Sequence, residues 1–145
     1  GRNLFVHAGL SARLLERNLE MDTLNARMSE GLYRTSKERR EDPTLEFLYR
    51  SAGPVWYRGM VCTDEKYDPL TPEQTDALLR RYDADRLLVG HTIFPDISTF
   101  HDGRVIAVNV QNELNRRKTR GRAVLIEGSR ISVVGNRGVK RVLEE

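Results

Sequence analysis

Cysteine is almost absent. Cys62 is the only one, which excludes an internal disulfide and any thiolate-rich zinc site. No apolar run approaches the roughly 18 residues that a membrane-crossing helix needs, and the first residues lack the basic-then-apolar order of a signal peptide. Tryptophan is equally scarce, with Trp56 standing alone. There is no internal repeat, no low-complexity linker, and no serine, cysteine and histidine set of the hydrolase-triad type. The compartment therefore stays open, with the cytoplasm as default and the periplasm compatible. The chain starts on Gly1 in place of Met and runs almost at once into an apolar segment, a start that implies sequence upstream. Because a lone cysteine acts as a nucleophile only beside an activating group, Cys62 is given no role.

What the chain does have is the balance of one globular domain: 145 residues, 39% hydrophobic and 31% charged, with a net charge of +3. Acids and bases are mixed along most of it. The exception is Arg116, Arg117, Lys118, Arg120 and Arg122, a cationic stretch without interleaved aromatics or a nucleic-acid motif. It reads as a solvated loop or as a phosphate-contacting one. Neither a nucleic acid nor a membrane is an expected partner.

The pattern predicts a mixed α/β unit over 1–145, with a helical stretch over about 11–50 and a strand-rich part over about 86–135. Leu4, Phe5 and Val6 form a short apolar strand that ends in His7-Ala8-Gly9. Met21, Leu24 and Met28 then recur at helical spacing, and Asp42-Pro43 supplies an N-cap and first-turn proline. The charged block from Lys37 to Asp42 reads as a solvated connection. Gly53 to Gly59, which holds Trp56, Tyr57 and Arg58, is bounded by turn residues and reads as a structured loop. Thr71-Pro72-Glu73-Gln74 combines a capping box with proline at the first helical position, predicting a helix that ends near Asp83. Leu87 to Val89 is a second apolar strand ending in Gly90-His91. Two hairpins follow, around His101-Asp102-Gly103 and around Glu127 to Arg130.

The histidines carry the chemistry. His7 and His91 each follow the carboxyl end of a buried strand, where α/β proteins place their ligands, and they converge if those strands are neighbours. From the residues alone they are either ligands of a divalent ion or turn histidines hydrogen-bonded to backbone. Arg58, held between aromatics and glycine turns, is preorganised for a bidentate grip on phosphate or carboxylate, or else covers Trp56. His101, at a hairpin tip, is expected to be exposed and is set aside.

Leu4-Phe5-Val6-His7-Ala8-Gly9-Leu10-Ser11, then Gly53 to Gly59, then Val89-Gly90-His91-Thr92 together resemble, in order, motifs of the calcineurin-like metallophosphoesterases. The likeness is strongest to the serine/threonine phosphoprotein phosphatase branch of Shewanella-like type. Ile93, where other branches carry a further histidine, points the same way; Asn109 stands where relatives often have Asp. The resemblance implies the C-terminal half of an αββα sandwich, because the family's earlier Asp-x-His, Gly-Asp and Asn-His-Asp/Glu motifs do not occur in this chain.

It further implies metal-dependent hydrolysis of a phosphoester or phosphoprotein by two divalent ions (Mn, Fe or Zn) about 3.5–4 Å apart. His7 and His91 would share one ion. Arg58 would act catalytically on the phosphate, while Tyr57, Arg116 and Arg117 would help to bind substrate. The chain alone would then bind metal weakly or not at all and be inactive, awaiting an N-terminal half of the same domain, with self-association through uncovered faces. Two other readings accompany this one: a diadenosine-tetraphosphatase-like hydrolase, and a non-catalytic binding or structural module.

Overall fold

The computed structural model describes residues 2–118 and 120–144. Two parallel strands, β1 (Asn3–Val6) and β2 (Arg86–Val89), pair in register from Asn3 opposite Arg86 to Val6 opposite Val89. Both strands thus end at the same edge of the sheet, which is what brings His7 and His91 together. Antiparallel β3 (Ser98–Phe100) and β4 (Val105–Ala107) complete a four-stranded sheet in the order β1-β2-β4-β3. Chain order and sheet order differ because β2 to β4 is a parallel connection, with β3 turned back along the outer edge.

The alternation of side chains along these strands sorts them into two cores. Leu87, Val89, Val105 and Ala107 face a helical layer and pack with Leu14, Leu48, Leu78 and Leu79. Leu88 and Ile106 face the other way, into a smaller cluster with Ile131 and Val133. Those last two belong to a second, antiparallel sheet of β5 (Arg122–Glu127), β6 (Arg130–Gly135) and β7 (Gly138–Glu144). The layers are therefore helices, mixed sheet, antiparallel sheet. Strands covered on both faces read as unbroken apolar runs, and that is why β2 was visible in the sequence. Each fully buried leucine contributes about 2 kcal/mol through removal from water.

The helical layer consists of α1 (Arg13–Glu16), α2 (Met21–Leu32), α3 (Ser36–Glu41), α4 (Pro43–Tyr49) and α5 (Pro72–Arg81). Two of the starts are the predicted ones. Asp42 accepts from the amides of Thr44 and Leu45, and Arg27 also binds it, so its carboxyl is held below the ordinary range, the Arg27 contact contributing most. Thr71 and Gln74 cap each other reciprocally at 3.2 and 2.9 Å.

The block from Lys37 to Asp42 is not a connection. Thr35 and Glu38 form a second capping box, which supplies the orphan amides of a first turn and makes most of the segment a short exposed helix. The cationic stretch is also corrected: Arg116 and Arg117 close a helix, α6 (Asn112–Arg117), and Arg122 opens β5. Arg117 pairs with Glu113 at 2.6 Å, one turn back.

His101 departs most from expectation. It adopts a left-handed backbone, φ 50°, which turns the ring inward instead of toward solvent. Nε2 lies 3.0 Å from the Met60 carbonyl and Nδ1 lies 3.2 Å from Thr75 Oγ1. The hairpin tip is thereby latched to α5 and to the loop that follows α4. Replacing His101 with alanine is expected to cost about 1–2 kcal/mol in urea denaturation, the worth of two part-buried hydrogen bonds; an unchanged midpoint would show the latch to be inert.

Candidate functional site

At the shared end of β1 and β2 the chain turns sharply twice. Ala8 and Gly9 leave β1 with their amides on the Pro54 carbonyl, at 2.9 and 3.4 Å, so the first turn is tied to the loop carrying Arg58. After β2, the Gly90 amide donates to the His7 carbonyl at 3.0 Å and the Thr92 amide closes on the Gly90 carbonyl at 2.6 Å. His91 is the middle residue of that three-residue turn, with φ 59°. A non-glycine residue held left-handed stores strain, and such residues concentrate at functional sites.

The result is a close histidine pair, His7 Nε2 to His91 Nδ1 at 3.1 Å, with ring centroids 5.0 Å apart. Trp56 stands edge-on to His91, centroid to centroid 5.2 Å at 89°. The remaining nitrogen, His91 Nε2, is buried and has no hydrogen-bond partner among the described residues. A buried polar atom without a partner costs free energy, and a ligand that met it would repay that cost.

Three influences hold the His91 imidazole below its ordinary value of 6.5: burial first, then the Arg58 charge, then His7. His91 is thus kept neutral near pH 7. A histidine whose folded value is depressed favours the unfolded chain as protons are added. Stability from this group is complete above about pH 6.5 and is lost as the pH falls through the lower folded value. In a proton-nitrogen NMR titration His91 is expected to show a midpoint below 6.5, and the midpoint should rise in Arg58→Gln. A midpoint unmoved by that change would mean that the Arg58 charge does not reach the ring.

Arg58 sits on a loop strapped from several sides. Trp56 and Tyr57 amides donate to the Gly53 carbonyl at 3.1 and 3.0 Å, and Val61 and Cys62 amides return to the Arg58 carbonyl at 3.0 and 2.9 Å. Ser11 Oγ donates to the Ala52 carbonyl at 2.7 Å, and the Leu70 amide donates to the Gly59 carbonyl at 3.0 Å. The guanidinium does not cover Trp56; it lies 5.9 Å from the Tyr67 ring. No carboxylate partner of Arg58 is present among the described residues.

Of the other residues singled out in the sequence, Tyr57 is buried at 3% exposure and its hydroxyl donates to the Asp68 carbonyl at 2.5 Å. Burial, and then the Asp68 charge, push its phenol far up, so it anchors the loop as a neutral group. Arg116 and Arg117 lie on α6 and do not line the cleft that holds Arg58. Cys62 is half-buried against the helical core. The sequence reading missed Arg13, Arg50, Lys66 and Tyr67, which share the Arg58 cleft; they come from three separate segments, and no local pattern joins them.

No protein-family model matches the chain, and no curated protein sequence does. Solved structures do. The chain is similar to a cold-active protein tyrosine phosphatase at 25% identity and a TM-score of 0.84, over 98% of its own length. It is similar to a point mutant of such a phosphatase, and to the cold-active protein-tyrosine phosphatase of a psychrophilic Shewanella species, at 26% identity and a TM-score of 0.85 over 99% of its length. It spans 40–41% of the length of those chains.

These neighbours confirm a mixed α/β fold shared with phosphatases, and they correct the resemblance drawn from the sequence. They are named for phosphotyrosine in place of phosphoserine and phosphothreonine, and no family model supports a calcineurin-like metallophosphoesterase or its half-sandwich. The dinucleotide hydrolase and the non-catalytic module find no support among them either.

The expected pair of Mn, Fe or Zn ions is corrected too. Among the described residues no group of three or more His, Cys, Asp and Glu side chains could hold an ion, so His7 and His91 do not make up a donor set by themselves. Nothing in these matches supports a missing N-terminal half as a partner. The physical reason for the correction is that His-Ala-Gly and Gly-His-Thr are signatures of tight strand-end turns, and such turns form here without needing an ion.

Proposed function

We propose that this chain forms the phosphate-recognition site of a protein phosphatase acting on phosphotyrosyl substrates. The observation that carries the reading is an arginine that, among the described residues, has no carboxylate partner, fixed on a strapped loop, whose charge reaches a neutral histidine with a buried nitrogen likewise unpartnered among them. Arg58 grips two non-bridging phosphate oxygens, where charge accumulates during transfer.

The histidine pair completes the grip. His7 Nε2 donates to His91 Nδ1, which leaves the His91 proton on Nε2. That N–H donates a hydrogen bond to a phosphate oxygen in the bound state, satisfying the orphan nitrogen. Because His91 is uncharged before binding, its N–H donor is available without a prior ionisation. The similarity to protein tyrosine phosphatases supports the choice of substrate class.

The test measures phosphate release from matched phosphotyrosyl and phosphoseryl peptides, with His7 and His91 ring signals followed by NMR as inorganic phosphate is added. Faster release from the phosphotyrosyl peptide and phosphate-dependent shifts of both rings are expected. No release above background together with unmoved ring signals would sink the reading.

A further inference from the structure

The cleft that holds Arg58 continues well beyond the space a phosphate fills. It encloses about 730 Å³ and runs from Trp56 past Arg58 to Lys66 and Tyr67, with Arg13 and Arg50 on its walls. That volume lies in the range of ligand-sized clefts. Its charge is one-sided: four of the lining side chains are cationic, Arg13, Arg50, Arg58 and Lys66, against one carboxylate, Asp68.

These cations are not all spent on internal partners. Lys66 is paired with Asp64 at 2.8 Å and Arg50 with Glu46 at 3.2 Å, both exposed pairs of little strength. Arg13 and Arg58 have no ion-pair partner among the described residues. The Tyr67 ring lies near both Lys66, at 4.9 Å, and Arg58, at 5.9 Å, so an aromatic platform adjoins two positive centres. A dianionic phosphate occupies one centre only. The other exposed cations of the cleft are then open to a second anionic group on the same substrate.

Building on the phosphate site proposed above, we infer that this cleft selects phosphopeptides with acidic residues beside the phosphorylated one. Arg58 takes the phosphate, while Lys66 and Arg13 take flanking Asp or Glu carboxylates. The backbone of the peptide lies over Tyr67. Charges of this kind raise encounter rate and discrimination more than they raise packing, and they weaken with salt.

Fluorescence anisotropy on the protein with two non-hydrolysable phosphonate peptides, one flanked by Asp and Glu and one by Ala, reads the preference directly. At low salt the acidic peptide should bind about tenfold more tightly, in line with a few partly exposed charge pairs. The advantage should shrink in 0.5 M salt, a measurement that needs no variant. Arg13→Gln with Lys66→Gln, both exposed side chains, should bring the two peptides to within about twofold of each other. Equal affinities in the unaltered protein, or an acidic preference that survives the double substitution, would overturn the inference while leaving the phosphate site standing. Binding of neither peptide would overturn both.

Discussion

Arg58→Ala is expected to lower turnover of a phosphotyrosyl peptide by a factor of about 10²–10³, the usual cost of removing one donor to developing negative charge. Arg58 is not committed to a structural role. It has no carboxylate to satisfy among the described residues, and its contact with Tyr67, at 5.9 Å, is too loose to be a structural clamp. Removing it should therefore leave the unfolding midpoint within about 0.5 kcal/mol of the parent, as for other surface-accessible changes.

Arg58→Lys keeps the charge and loses the fork, and should recover only part of the rate. Stopped assays over a range of substrate concentration separate the two parameters. A fall in kcat with KM little changed marks a contact made in the transition state, whereas a rise in KM alone marks ground-state binding. An alanine variant with full turnover would remove Arg58 from the site.

Gly53→Ala carries the largest expected effect on stability, about 3 kcal/mol by urea denaturation. A methyl group there would come within 3.0 Å of the Leu48 carbonyl and of the Phe47 oxygen, all main-chain atoms of the end of α4 that cannot turn aside. The backbone would have to move, and overpacking a rigid segment costs at the upper end of the usual range. Because the Gly53 carbonyl also receives the Trp56 and Tyr57 amides, the shift would pass to Arg58, and activity should fall along with stability. Gly103 makes the comparison: it is left-handed, φ 86°, with open space around it, so alanine there meets only backbone strain, about 1 kcal/mol. Similar losses at both positions would refute the packing argument.

The parts of this molecule that could be read from its sequence are those whose cause is local. Thr71 and Gln74 cap α5 because they are three residues apart; Asp42 and Pro43 start α4 for a similar reason. Two apolar runs with matching ends gave β1 and β2 themselves and made the meeting of His7 with His91 conditional on their pairing, which the structure supplies. Where local evidence was discounted, as with Thr35 and Glu38 inside a charged block, a helix was taken for a connection. β7 was missed because its strand character is interrupted by charge and set by its pairing with β6. His101 could not be read correctly because its partners, Met60 and Thr75, lie on other segments. The same is true of the cationic cleft.

The functional assignment went astray in another way. Short strings such as His-Ala-Gly report the shape of a turn, and the shape was mistaken for the ion that such a turn can hold. The neighbours that share this fold over nearly the whole chain are protein tyrosine phosphatases, and they support the proposal made above.

Trp56 is the only tryptophan in the chain, and it stands edge-on to His91. The protein therefore carries its own optical reporter, one whose emission senses the neighbouring ring. An imidazolium dims an indole that it touches far more than a neutral imidazole does. Proton uptake at His91 and the arrival of an anion beside it can thus be followed in unlabelled material by intrinsic fluorescence alone, with no second indole to blur the signal.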